Sequence, residues 1–93
     1  MIMTYKIYQL TTEHTDLLFR GYNSNTFNIS NYNEIYSGEI DTTGNIINDL
    51  DNIYLKFNGV HPEDFHGHSL SISDVVEIDG TLYYVERMGW KKL

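Results

Sequence analysis

The sequence predicts an α+β fold, a curved antiparallel sheet of about five strands with one main α-helix packed on one face. Three observations predict it. Apolar residues fall at helical spacing in a single place, where Ile46, Ile47, Leu50, Ile53, Tyr54 and Phe57 share one face. Asp79-Gly80 separates two β-rich runs, the dipeptide that most strongly marks a two-residue hairpin turn. β-branched and aromatic residues open the chain and return ahead of the helix.

Taken in order, Thr4-Tyr5-Lys6-Ile7-Tyr8-Gln9-Leu10 reads as a strand, Thr11 to Asp16 as a polar turn, and Leu17 to Tyr22 as a second strand. The economical arrangement of these is a β-hairpin. Residues 23 to 33 hold five asparagines among serine and threonine, side chains that compete for backbone hydrogen bonds and favour turns, so a long surface loop is expected. Glu34 to Ile40 alternates loosely and reads as a strand.

The helix is placed at about 45–57. Thr43 or Asn45 can cap it, Asp49 and Asp51 sit where the dipole favours acids, and Asn58-Gly59 supplies a left-handed stop. Asp74 to Asp79 and Thr81 to Arg87 form the predicted hairpin, and the tail adds a short strand with Trp90 against the core.

The 93 residues suit a single domain, 1–93, and 41 % apolar with 14 % aromatic residues is a globular composition. Absence of cysteine excludes disulfides and thiolate metal sites. No stretch approaches the roughly 18 apolar residues of a membrane span, so a soluble cytoplasmic protein is expected.

The net charge of −7 is unevenly spread. From Glu34 to Glu86 there are eleven acids and one base, Lys56. Such a surface repels nucleic acid, whose binding depends on Lys and Arg neutralising phosphates, and attracts a basic protein surface. Solubility alone also accounts for a net charge of this sign. Glu63, Asp74, Glu77, Asp79 and Glu86 are the candidate partner-binding acids.

Val60 to Leu70 joins helix to hairpin and holds three of the four histidines and the only proline. His61, Asp64, His66 and His68 are ligand types for zinc, and His66 and His68, two apart, project to one side of an extended segment. A structural zinc is therefore a candidate, with His14 as a distant supplement; the spacing equally suits polar loop residues. Ser69, Ser71 and Ser73 lie near His68 and Asp74, yet triads are set by geometry, and no nucleophile-elbow pattern accompanies them. Glu63 and Asp64 are neighbours whose side chains diverge. No catalytic residue is assigned.

Asn52-Ile53-Tyr54-Leu55-Lys56-Phe57-Asn58, His61 to Val76 with its Gly-His-Ser-Leu-Ser-Ile-Ser-Asp-Val-Val core, Tyr83-Tyr84-Val85 and Gly89-Trp90-Lys91 together resemble the YodL-like domain. Tyr5 to Leu10 and Tyr36-Ser37-Gly38-Glu39-Ile40 resemble its first half. His68 matches the family pattern; His61 stands where the family carries Arg, and His66 where it carries a basic or polar residue, so a metal site here would not be a family property. The family occurs on conjugative elements and phages, often near anti-restriction genes, without an established enzymatic activity.

That resemblance implies a non-catalytic, monomeric anti-defence protein in the cytoplasm of a bacterial host. Its sharpest form is an anti-CRISPR protein on a Cas9-type nuclease, whose positive nucleic-acid channels suit an acidic partner. The alternatives are a metal-dependent hydrolase using the His/Asp loop with Glu63 as base, and a structural module of a conjugative element.

Overall fold

β1 (Ile2–Leu10) is the strand on which the sheet is assembled. It pairs antiparallel on one side with β2 (Tyr32–Asp41) and on the other with β3 (Val75–Ile78), which continues through β4 (Thr81–Val85) to β5 (Trp90–Lys92). The five-stranded order is β2-β1-β3-β4-β5. The computed structural model describes residues 1–59, 63–65, 67 and 69–93.

Strict alternation on β1 decides the two faces of the sheet. Met3, Tyr5 and Ile7 are buried against α1 (Ile46–Asn58) and Gln9 is buried further along the same face, while Thr4, Lys6 and Tyr8 point to the opposite, open face. Leu50, Ile53 and Phe57 of the helix meet Met3, Tyr5, Ile7, Val76, Ile78, Tyr83 and Val85 in the core. Phe57 sits edge-on to Phe65 at 4.7 Å and to Tyr36 at 5.2 Å between centroids, the geometry aromatic quadrupoles favour.

The Asn45 side chain caps the helix by accepting from the Asn48 amide. Asp49 is not a solvated dipole partner. It is buried, and its carboxylate accepts from the Thr42 hydroxyl at 2.5 Å and from the Thr43 amide and hydroxyl at 2.8 Å each, fastening β2 to α1. The helix does stop at Asn58-Gly59, but Gly59 has φ −110° and is not left-handed. The β3–β4 turn has the positive φ values of a two-residue hairpin, 51° at Asp79 and 78° at Gly80.

The expected first hairpin does not form. Thr12–Leu17 makes 3-10 turns, Leu17 to Tyr22 is not a strand, and β1 pairs instead with β2, further along the chain. Both edges of β1 are taken by β2 and β3, and Leu17-Leu18-Phe19 lacks alternation. The segment from 11 to 31 lies over one end of the open face. Tyr22 stands edge-on to Tyr84 at 5.4 Å, and Phe27 contacts Tyr84 and Tyr32 at 5.9 and 5.7 Å.

Candidate functional site

What this segment leaves uncovered is an acidic half-face. In the β1–β2 register Thr4 faces Glu39, Lys6 faces Ser37 and Tyr8 faces Glu34, while on the other side Lys6 faces Glu77. With strands about 4.8 Å apart, Glu34, Glu39 and Glu77 neighbour Lys6, while Asp41 stands further along the same face, opposite Ile2, and pairs with the N-terminal ammonium of Met1 at 2.9 Å. That lysine reaches Glu34 at 3.6 Å with both side chains close to half exposed, and an exposed pair of this kind contributes at most about 1 kcal/mol. The Tyr8 hydroxyl donates to Glu77 Oε2 at 3.4 Å. Burial, then the Glu77 charge, pushes the Tyr8 pKa up.

Of the five acids expected to bind a partner, Glu77 lies on this face and Asp79 is exposed in the adjoining turn. Glu63 is exposed in the loop that follows α1. Glu86 is half-buried and accepts from the Tyr22 amide, so it holds the covering segment in place. Asp74, expected among these acids, is instead fully buried and cannot touch a partner. Its Oδ2 accepts from the Ser71 amide at 2.9 Å and from Gln9 Nε2 at 3.2 Å, while its backbone bonds close the turn into β3. Next to it Ser73, also fully buried, has φ 87°; its carbonyl accepts from the Tyr32 hydroxyl at 2.6 Å and its Oγ from the Phe19 amide at 3.2 Å. Burial pushes the Tyr32 and Tyr84 hydroxyls up in pKa, as expected of phenols kept protonated in a structural cluster.

Glu34, Glu39 and Asp41 escaped the sequence reading as site residues. Their alternation was visible, but the face they share with Glu77 exists only because β1 separates β2 from β3.

The metal-ligand candidates His61, His66 and His68 lie outside the described residues. Asp64 is exposed, and its carboxylate faces the Tyr36 hydroxyl; burial first, then that charge and hydrogen bond, push the Tyr36 pKa up. Tyr5 beside them is raised to about 12, by burial foremost. Among the described residues no group of three or more His, Asp or Glu is placed to hold a metal ion. No described helix is long and apolar enough to cross a membrane.

A family model for the YodL-like domain matches residues 4–93. The chain belongs to the YodL-like domain family. No curated protein and no solved structure matches it. In this YodL-like chain the Ser-Leu-Ser-Ile-Ser-Asp-Val-Val run has a physical account. Leu70 and Val76 enter the core, Ser71 and Asp74 close a hydrogen-bonded turn, Ser73 receives Phe19 and Tyr32, and Val75 is buried where β3 pairs with β1. Gly67 belongs to the same packing. A Cβ there would meet Ile35 Cδ1 at 2.4 Å and Gln9 Oε1 at 2.5 Å.

Proposed function

We propose that the chain is a non-catalytic interaction protein of a phage or mobile element that binds a basic surface of a host defence nuclease, a Cas9-type effector in the sharpest form, and blocks its nucleic-acid loading. The observation that carries this reading is the open half-face, where Glu34, Glu39 and Glu77 neighbour Lys6 and Asp41 pairs with the N-terminal ammonium, four acids against two positive groups. Charges so disposed steer association toward a positive groove and repel a phosphate backbone. The mobile-element setting of the YodL-like family agrees with it.

In the same reading the loop at 61–68 is ordered by a structural zinc held by His61, Asp64, His66 and His68. A ligand carboxylate hydrogen-bonded by a tyrosine is a common outer-shell arrangement. Elemental analysis of purified protein, beside His66→Ala and His68→Ala, checks this; zinc near one per chain that disappears in the variants is expected.

The binding test is capture of a Cas9-type effector by the immobilised chain at low and high salt, with a Glu39→Lys, Glu77→Lys variant alongside. Capture that weakens with salt, as screening over about 10 Å at 0.1 M requires, and that the variant abolishes is expected. Capture indifferent to salt, or none at all, refutes the proposal.

A further inference from the structure

We infer that the outer edge of β2 is a strand-docking site, and that its occupant is an extended basic segment of a protein partner. This deepens the proposed function and rests on it for the partner's charge.

The edge follows from the hydrogen-bond pattern. The Thr42 amide donates to the Met1 carbonyl at 2.9 Å, which makes that pair a hydrogen-bonded one in the β1–β2 register. Antiparallel pairs alternate, so Ile40, Gly38 and Tyr36 also turn their backbone groups toward β1. Ser37, Glu39 and Asp41 turn theirs outward, where among the described residues no further strand pairs with β2. The Ile7/Tyr8 bulge interrupts the pattern below Tyr36, leaving a regular edge from Tyr36 to Asp41. Such a run of outward amides and carbonyls is a template for a further strand.

The side chains along that edge decide what may pair there. Ser37, Glu39 and Asp41 project to the open face, while Tyr36, Gly38 and Ile40 project to the helix side. A strand added here places its alternate residues opposite Glu39 and Asp41; Asp41 already pairs with the N-terminal ammonium at 2.9 Å, so Glu39 is the acid that favours lysine or arginine and repels an acid. Its remaining residues fall beside Tyr36 and Ile40, where apolar side chains suit. A second copy of the chain is a poor occupant, because two β2 strands bring acid against acid or against serine. The sheet's other edge, β5, is basic at Lys91 and Lys92 but only three residues long.

The experiment uses a synthetic peptide of alternating lysine and valine and a twin N-methylated at alternate residues, which keeps the charge and removes edge hydrogen bonds. Binding and amide exchange are followed by NMR on the whole chain. Expected are saturable binding of the plain peptide, slowed exchange at Ser37, Glu39 and Asp41, and about tenfold weaker binding of the twin. Glu39→Lys should weaken the plain peptide by about tenfold as well. Ser37→Pro, which deletes an outward amide and no β1 bond, should abolish edge protection; the peptide comparison stands even if that variant misfolds. Equal binding of both peptides means contact with the acidic face alone, which overturns edge docking and leaves the proposed function intact. Protection at Ile2 to Thr4 instead, protection of the β2 amides through self-association in free protein, or no binding, each overturns the inference.

Discussion

Removing the Asp49 carboxylate should detach the strand from the helix it precedes. Three donors converge on that buried group, the Thr42 hydroxyl and the Thr43 amide and hydroxyl. A hydrogen bond to a charged acceptor contributes about 1.5–3 kcal/mol, and the loss is smaller where the orphaned donor can reach water. Thr43 is exposed and Thr42 half-buried. Asp49→Ala should therefore cost about 2–4 kcal/mol, and Asp49→Asn, which keeps one acceptor oxygen, about 1–2 kcal/mol. Burial pushes the Asp49 pKa up, but the Thr42 and Thr43 hydrogen bonds outweigh it and the net shift is downward. A carboxylate whose folded pKa is depressed stabilises fully above its unfolded pKa, about 4, and the benefit is lost as pH falls through the folded value. Urea denaturation of wild type and both variants, at neutral pH and well below pH 4, reads this directly. The gap between wild type and Asp49→Ala should narrow in acid. A gap under about 0.5 kcal/mol at neutral pH, within ordinary surface-substitution scatter, or one unchanged in acid, would refute the reasoning.

Gly67→Ala should lower stability by about 1–3 kcal/mol through overpacking, and Ile35→Val, which deletes the Cδ1 that the new Cβ strikes, should recover part of the loss in thermal melts. Phe19 is 60 % exposed at φ 63°, so Phe19→Gly should be more stable than Phe19→Ala by about 1 kcal/mol, the reverse of the usual order; equal melting temperatures would count against the assigned backbone. Tyr5, raised to about 12, and Tyr8, Tyr32, Tyr36 and Tyr84, also raised, should ionise above the ordinary phenol range of about 10 in an ultraviolet titration. The sign makes that stability present below pH 10 and lost as pH rises through the folded values; phenols that all titrate near 10 in folded protein would contradict the burial.

The helix and the second hairpin were legible because their determinants are local. The 3.6-residue period from Ile46 to Phe57 and the Asp79-Gly80 turn each lie within one element. The first half was misread where local rules compete with a distant partner. Thr4 to Leu10 and Leu17 to Tyr22 are near in sequence and β-rich, yet β1 satisfies both edges with strands that come later, and the 17–22 segment becomes a cover. Asp74 was misread for a related reason. An acid is ordinarily a surface residue, and its burial depends on Gln9, 65 residues away. The YodL-like resemblance was carried by the very run that builds this turn, whereas the acidic half-face needed the strand order.

The central position of β1 also bears on how the chain is made. β2 and α1 can close on β1 once residue 58 has left the ribosome, but the edge that β3 will occupy waits for residues 75–78. At 5–20 residues per second that wait is about one to four seconds. During it a half-sheet with an open edge and an unfinished core exists in the cell. Vectorial synthesis thus gives this fold an early assembly and a late one, and the Asp74 turn is the latch by which the second joins the first.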